Sequence, residues 1–184
     1  MRDIFKPVLV LLIVCIVIAF SVSFVYNITK DTITEIERLQ NEKLMNEVLP
    51  DTKYEDITSK MLGEVQISNT RAKLNNVYKA SKGYVFNIAT KGYAGDVIVF
   101  IGINNDGTIN KIQLGKNNET PSVGKKAEES DFTNRFIGKN INQKVSEQVD
   151  TISGATITTS GVVVAVQEAC DYFSSYNKLT KEEN

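Results

Sequence analysis

The stretch DVIVFIGINNDGTINKIQL, residues 96–114, decides the fold of this 184-residue chain. Its first nine residues are mostly β-branched or aromatic, which predicts a strong buried strand over residues 96–104. The run NDG at 105–107 is a hairpin signal, because tight hairpin turns need residues that tolerate positive φ. Residues 108–114 return with alternating apolar positions. The stretch therefore predicts two antiparallel strands joined by a short turn.

The sequence on either side of this hairpin extends the sheet and adds helices. Residues 76–80 and 83–90 read as two further short strands, and residues 92–95 offer a turn before the central strand. Residues 132–137 predict a short helix and residues 162–176 a long final one. Apolar residues recur along that final helix at helical spacing: Val162, Val163, Val166, Ala169, Cys170 and Phe173. The predicted fold class is α+β, an antiparallel sheet packed against helices.

The N-terminus carries an apolar segment over residues 8–25. As a helix it is roughly 27 Å long, which is enough to cross the hydrocarbon core of a bilayer. A cleaved signal peptide is the alternative, since SVS at 21–23 has the small residues of a cleavage site. The apolar segment is longer than a typical signal core, which favours a retained anchor. We expect a short cytoplasmic tail, 1–6, and a transmembrane helix, 7–27.

A helical stalk is predicted between the anchor and the domain, over residues 28–50. Its apolar residues have loose helical spacing, Pro50 ends it, and Leu44, Val48 and Leu49 are candidates for docking on the domain, 51–184. Basic residues lie on both sides of the apolar segment, so the positive-inside rule barely discriminates between the two orientations. The very short N-terminal tail favours an extracytoplasmic domain.

Composition excludes several kinds of chemistry. The chain has no histidine, which rules out histidine-ligated haem, histidine-based zinc sites and Ser-His-Asp catalysis. Its two cysteines, Cys15 and Cys170, form no Cys-x-x-Cys motif, so the common iron–sulfur and dithiol spacings are missing. A net charge of −1 gives no electrostatic case for nucleic acid. No metal site and no catalytic residue are predicted, and electron transfer by this chain would need an organic cofactor.

The run DTISGAT at 150–156 precedes the final helix. Ser153 is a candidate N-cap, and Gly154 and Ala155 allow a ligand to approach the backbone closely. Thr156 then lies in the first turn, where unpaired N–H groups and the helix dipole favour a phosphate. An ordinary capped helix start is the plain alternative.

The run DTISGAT resembles the flavinylation motif of FMN-binding domains, in which the last threonine carries FMN through a phosphodiester. The runs GYAG at 92–95, NNDG at 104–107 and ETP at 119–121 occur in the order seen in the G subunit of Rnf-type electron transport complexes. The C subunit of the Na+-translocating NADH:quinone reductase shares much of this pattern. One loop departs from it. The family usually reads Glu-Thr-Pro-Gly-Leu-Gly, whereas this chain has ETPSVG at 119–124.

This resemblance implies a membrane-anchored flavoprotein subunit that relays electrons through FMN esterified to Thr156. The complex would couple electron flow between ferredoxin and NAD+ to movement of Na+ or H+, with the domain on the extracytoplasmic side of the cell membrane. The implied partners are the other subunits of the complex, one of them a second FMN-bearing subunit, and an ApbE-type FAD:protein FMN transferase that needs Mg2+.

The expected cofactor-binding residues lie in three segments of the chain. They are Tyr93, Glu119, Thr120, Pro121, Ser153, Gly154, Ala155, Thr156, Thr158 and Thr159. Recognition by the transferase is assigned to Asp150, Ser153, Gly154, Ala155 and Thr156. Plain alternatives exist for several of them: a polar surface loop for 119–121, a sheet-edge aromatic for Tyr93, and an extended helix start for Thr158 and Thr159.

Two alternative functions stay open from the sequence. One is that of the C subunit of the quinone-reducing relative. The other, from a different class, is a membrane-tethered binding or scaffold module without a cofactor, since anchor, stalk, sheet and capped helix would all suit it. In either flavin-bearing case the chain is an electron carrier within a larger complex and not a complete enzyme.

Overall fold

A computed structural model describes residues 2–65 and 71–182 of the chain. The chain divides into two compact units, one ending at Glu42 and the other beginning at Lys43. The first unit is helical. The second is an α+β domain with an antiparallel sheet and a long C-terminal helix, which confirms the predicted fold class.

The first unit belongs to a single long helix, α1, Arg2–Val48. Within the described residues, α1 is the one helix that is long and apolar enough to cross a membrane, and its most apolar 18-residue window has a mean hydropathy of 3.2. Its apolar side chains are exposed from Val8 to Ile28, as suits lipid and not water. Its last residue, Val48, lies within the predicted stalk, 28–50. The predicted limits of tail, spanning segment and stalk stay predictions.

The second unit contains a five-stranded sheet whose strands lie side by side in sequence order, each antiparallel to the next. The strands are β1 Glu55–Asp56, β2 Ala72–Lys79, β3 Gly83–Lys91, β4 Asp96–Asn104 and β5 Ile109–Leu114. β4 has the limits predicted for the central strand. It pairs with β3 along its whole length and with β5 through the predicted hairpin, so the stretch that decides the fold forms two adjacent strands, of which β5 lies at one edge of the sheet.

Within residues 43–65 and 71–182, the domain has three further helices and several 3₁₀ turns. The helices are α2 Thr58–Glu64, α3 Ser130–Thr133 and α4 Thr156–Glu182. The short helix predicted over 132–137 begins earlier, as α3, and continues as a 3₁₀ turn, Asn134–Phe136. The final helix extends past both predicted ends, because apolar spacing marks only the part that packs on the sheet.

The two faces of the sheet are covered by different helices. α4 packs on the inner face, where Phe86, Ile88 and Ile101 are fully buried with residues such as Val162 and Val166. Burial also raises the pKa of the Cys170 thiol in this core to about 12, so the thiol stays protonated and unreactive.

On the outer face, the end of α1 packs against β4. Val48 and Leu49 are fully buried with Phe100, and Leu44 lies at the edge of this cluster, so the predicted docking of these residues is observed. The amide of Asn110 donates to the carbonyl of Val48 at 2.6 Å and ends the helix there. Burial on both faces explains why the central strand is apolar at nearly every position.

Candidate functional site

A tight turn precedes α4. Ala155 N–H donates to the carbonyl of Ile152 at 3.0 Å, and Gly154, at the third position of the turn, has a φ of +83°. A Cβ at Gly154 would meet no atom within 4 Å, so the positive φ and not crowding requires glycine here. Ser153 is the second residue of the turn and is exposed. The turn leads the chain directly into the helix at Thr156.

The predicted N-cap at Ser153 is wrong. Ala155 is the residue that precedes α4, and its carbonyl accepts the first helical hydrogen bond, from Thr159 N–H at 3.0 Å. Because the turn uses Ser153 as one of its central residues, the helix begins later than a cap at Ser153 requires. Ser153 therefore shapes the turn and does not cap the helix.

Thr156 is the first residue of α4 and is exposed. Its hydroxyl lies 3.4 Å from the carbonyl of Ile152, at the outer limit of a hydrogen bond. The helical ladder begins at Thr159, so the N–H groups of Thr156, Ile157 and Thr158 have no acceptor inside the helix. Three free amides at the positive end of a 27-residue helix form a ready site for a phosphate.

A cavity of about 420 Å³ opens beside this helix start. Three separate parts of the chain line it, namely the turn between β3 and β4, the loop after β5 and the start of α4. The lining residues are Tyr93, Glu119, Thr120, Val123, Gly124, Gly154, Ala155, Thr156, Ile157 and Thr158. Seven of the ten predicted cofactor-binding residues are therefore brought together around one cavity. Their contact with a cofactor stays a prediction.

The other predicted residues lie outside the lining. Pro121 and Ser153 are exposed on adjoining turns, and Asp150 is exposed with its carbonyl accepting from Arg135 at 3.3 Å. Thr159 is fully buried. Its hydroxyl donates to the carbonyl of Ala155 at 2.9 Å and accepts from Ile152 N–H at 3.2 Å, so it supports the turn from below.

Sequence reasoning missed three lining residues, Val123, Gly124 and Ile157. Val123 is 45% exposed, Ile157 52% and Tyr93 71%, so these three form an apolar rim around the cavity. A signal was present, because Val123 and Ile157 are isolated apolar residues in polar loop and helix-start segments where no core position is expected.

Glu119 is buried, with only 3% of its surface exposed. One carboxylate oxygen, Oε1, accepts from Ala94 N–H at 2.9 Å, and the other, Oε2, accepts from the hydroxyl of Thr158 at 2.7 Å. Its backbone N–H donates to the side chain of Asn117 at 3.1 Å. Glu119 therefore connects all three walls of the cavity.

The loop after β5 makes a tight turn where the sequence departs from the usual family pattern. Val123 N–H donates to the carbonyl of Thr120 at 3.2 Å, Pro121 occupies the second position, and Ser122 at the third has a φ of +62°. This geometry is that of a turn which favours glycine at its third position. Ser122 thus adopts the left-handed conformation that a glycine would provide, and the turn forms without it.

Replacing Ser122 with glycine is expected to increase the free energy of unfolding by about 0.5–1 kcal/mol, because a left-handed residue with a Cβ is strained. Urea unfolding of the full chain in detergent micelles measures this change. The matched control is Ser122→Ala, which keeps the Cβ and is expected to bring no gain. Equal stabilities for the glycine and alanine variants would contradict the strained turn.

Two family models match this chain, one over the residues that line the cavity and one over α1. Residues 92–171 match the model of the FMN-binding domain, a range that includes all three walls of the cavity. Residues 1–48 match the model of the RnfG N-terminal region, which has the same C-terminal limit as α1.

Similar proteins carry related names. The G subunit of the Na(+)-translocating ferredoxin:NAD(+) oxidoreductase complex of Acetobacterium woodii is 28% identical, over 96% of this chain and 95% of that protein. The G subunit of an ion-translocating oxidoreductase complex of Aliivibrio fischeri is 27% identical, over 94% of this chain and 91% of that protein. Among solved structures, the C subunit of the Na(+)-translocating NADH-quinone reductase of Parabacteroides distasonis matches with 25% identity and a TM-score of 0.45, over 55% of this chain and 60% of that one.

The match to the RnfG N-terminal region and the names of both relatives agree with one another, and both relatives align along nearly their whole length. The chain is therefore similar along nearly its whole length to G subunits of ion-translocating oxidoreductase complexes, with a match to the RnfG N-terminal region at residues 1–48 and to the FMN-binding domain at residues 92–171.

Proposed function

We propose that this chain is a membrane-anchored flavoprotein subunit that relays electrons through FMN esterified to Thr156, within an ion-translocating ferredoxin:NAD+ oxidoreductase complex. One observation carries the proposal. The exposed hydroxyl of Thr156 lies at the start of a long helix, on the lining of a cavity that belongs to an FMN-binding domain. The match of residues 1–48 to the RnfG N-terminal region favours this function over that of the quinone-reducing relative.

The residues present suit both ends of FMN. The three free amides of Thr156, Ile157 and Thr158 would receive the phosphodiester, whose single negative charge the helix dipole stabilises by about 0.3–1 kcal/mol. The cavity of about 420 Å³ lies within the range of small-molecule sites, and its rim offers an aromatic and two aliphatic side chains to the flat isoalloxazine ring.

The polypeptide and the cofactor have separate tasks. Bound FMN supplies the redox chemistry, and the chain supplies position and electrostatics. In the attachment reaction, Thr156 Oγ1 would form the bond to the FMN phosphorus of FAD, AMP would be the leaving group, and the transferase would accept the hydroxyl proton. Asp150 and Ser153, both exposed beside Thr156, are assigned to recognition by the transferase.

A covalent link suits a domain on the extracytoplasmic side of the cell membrane. A reversibly bound cofactor depends on the free concentration of ligand, and an extracytoplasmic space offers little free FMN. The predicted transmembrane helix, 7–27, contains no Asp, Glu, Lys or Arg. An ion pathway through a membrane requires polar or charged groups, so this chain carries electrons while other subunits of the complex move the ion.

Intact mass spectrometry tests the proposal directly. The full chain, produced together with an FAD:protein FMN transferase and purified in detergent, is expected to gain the mass of one FMN residue and a yellow colour. Production without the transferase is the control and is expected to give the bare mass. An unchanged mass in the presence of an active transferase would favour the cofactor-free scaffold module.

If the loop after β5 contacts the flavin ring, a substitution of Thr120 should change the properties of the bound flavin. Thr120→Ala is expected to leave attachment intact but to change the flavin spectrum and shift its potential. The loss of one hydrogen bond, about 1 kcal/mol, corresponds to about 20 mV for a two-electron couple. Redox titration of the loaded chain measures the shift, with Thr52→Ala, on a different exposed loop, as the control. An unchanged spectrum and potential would mean that this loop does not contact the flavin ring.

A further inference from the structure

A buried carboxylate at the centre of a binding site needs a physical reason. Burying an ionised group is costly unless hydrogen bonds compensate for the lost water. Glu119 has two such bonds, and they go to different parts of the chain: Ala94, in the turn between β3 and β4, and Thr158, in the first turn of α4. These partners lie far apart in the sequence, and the carboxylate is what joins them.

Two glycines leave room for this carboxylate. A Cβ at Gly92 would overlap Oε1 of Glu119, and a Cβ at Gly124 would overlap Oε2. Gly124 has no positive φ, so backbone conformation does not account for glycine at this position. The space that Glu119 occupies does account for it. Glu119 and Gly124, five residues apart in one loop, thus form a matched pair.

We propose that Glu119 is a positioning residue, which holds the turn between β3 and β4, the loop after β5 and the start of α4 in place before a flavin is attached. Both of its oxygens accept hydrogen bonds within the chain, so it acts through Ala94 and Thr158. The role in attachment rests on the proposed function of Thr156.

The effect on Thr156 follows from the weakness of a helix end. The first turn of α4 has no ladder hydrogen bonds from its own amides, and such turns fray. Thr158 lies two residues after Thr156, and its bond to Glu119 fixes this turn against the cavity wall. Without that bond, Thr156 would sample many orientations, and the transferase would meet the reactive one less often.

Two substitutions of Glu119 distinguish the loss of its charge from the loss of its hydrogen bonds. In Glu119→Gln, the amide oxygen can accept from Ala94 N–H, and the amide nitrogen can donate to the hydroxyl oxygen of Thr158. In Glu119→Ala, both partners lose their contact. We expect Glu119→Ala to lower kcat/KM for FMN attachment at least tenfold, mainly through kcat, and Glu119→Gln to stay within about threefold of the wild type. Glu129→Ala, an exposed glutamate in the next segment, is the control and is expected to match the wild type.

A second measurement needs no flavin. The Ala94 amide donates to Glu119, so its hydrogen exchange in the unloaded full chain, followed by NMR in detergent micelles, reports directly on the carboxylate. Exchange at Ala94 is expected to be at least tenfold faster in Glu119→Ala and close to the wild-type rate in Glu119→Gln. A role in general stability alone would accelerate exchange across the whole sheet, and that outcome would overturn the proposal.

The pair with Gly124 supplies a double-mutant cycle. Gly124→Ala is expected to displace the carboxylate and to slow attachment, and it is expected to have little further effect when Glu119 is already alanine. If the two substitutions slow attachment by factors that multiply in the double variant, they act independently, and Glu119 and Gly124 are not a matched pair.

A substitution of Thr158 tests the same role if Glu119→Ala does not fold. Thr158→Val removes only the hydroxyl and is expected to slow attachment several-fold, and Thr158→Ser is expected to restore the wild-type rate. Attachment at the wild-type rate in Thr158→Val would then overturn the proposal.

The outcomes separate the two proposals. If the wild-type chain gains FMN and Glu119→Ala gains it equally fast, the positioning role is wrong and the proposed function stands. If the wild-type chain never gains FMN, the proposed function fails, while exchange at Ala94 still decides whether Glu119 holds the cavity walls together.

Discussion

Thr156→Ala is expected to abolish FMN attachment completely, because the alanine side chain has no oxygen to form the phosphodiester. Thr156→Ser keeps the hydroxyl at the same position and is expected to be modified. The threonine side chain is exposed and its one hydrogen bond is long, so neither change should alter the free energy of unfolding by more than about 0.5 kcal/mol. Intact mass and peptide mapping after production with the transferase measure the outcome.

The sharpest control for Thr156 lies within the same motif. Thr151 is also an exposed threonine, five residues earlier, and it lies outside the lining of the cavity. Thr151→Ala is therefore expected to leave attachment complete. If Thr156→Ala carries FMN on another residue, Thr156 is not the site of attachment. If both alanine variants lose attachment, the loss in Thr156→Ala can result from impaired recognition by the transferase and does not identify Thr156 as the attachment site.

Phe100→Ala is expected to lower the free energy of unfolding of the domain by about 3–5 kcal/mol, the usual cost of removing a fully buried phenylalanine. Phe100 is 0% exposed in β4 and packs with Val48 and Leu49 at the end of α1. The cavity left behind would loosen the only helix that covers the outer face within the described residues. Urea unfolding in detergent micelles, followed by tyrosine emission, measures the loss, since the chain has seven tyrosines and no tryptophan.

Ile98 is the matched control for Phe100. It lies on the same strand and beside the same cluster but is only partly buried, so Ile98→Ala is expected to cost less than about 2 kcal/mol. A cost below about 1 kcal/mol for Phe100→Ala would mean that the end of α1 does not pack on β4 as described. The α4 side of the domain, including Thr156, is expected to keep its function wherever the variant stays folded.

The parts of the fold that were predicted well are those with a strong local pattern. The central strand, Asp96–Asn104, has the predicted limits, because a run of β-branched residues ends there at a turn signal. β2 begins earlier than the predicted 76–80, since an irregularity between Leu74 and Asn76 interrupts the alternation of its side chains. Local patterns cannot show a strand whose regular spacing is broken in this way.

The start of α4 illustrates a tertiary effect that sequence periodicity does not reveal. Residues 156–161 read TITTSG, which has weak intrinsic helix propensity and no apolar stripe. Contacts with the rest of the domain hold this turn in helical form. Thr158 bonds to Glu119, and the carbonyl of Gly161 accepts from Thr90 at 3.0 Å. The helix therefore begins well before the predicted residue 162.

The sequence predicted most of the residues that line the cavity, but it did not predict the contacts between them. The motif around Thr156 pointed to a phosphate-linked group, and the family resemblance named the loops that accompany it. Which residues face the cavity depends on how distant segments meet, so Ile157 and Val123 were missed. The bonds of Glu119 to Ala94 and Thr158 depend on the same long-range packing, and no spacing in the sequence encodes them.

The position of α4 also bears on how the protein is made. This helix covers the inner face of the sheet, and it is the last described element of the chain to leave the ribosome. Until it arrives, much of the apolar inner face of the nascent sheet is uncovered, so a truncated chain is expected to be bound by chaperones or degraded by proteases. The same helix brings Thr156. Completion of the core and arrival of Thr156 are therefore one event, because a chain that stops before α4 has neither a closed core nor that residue.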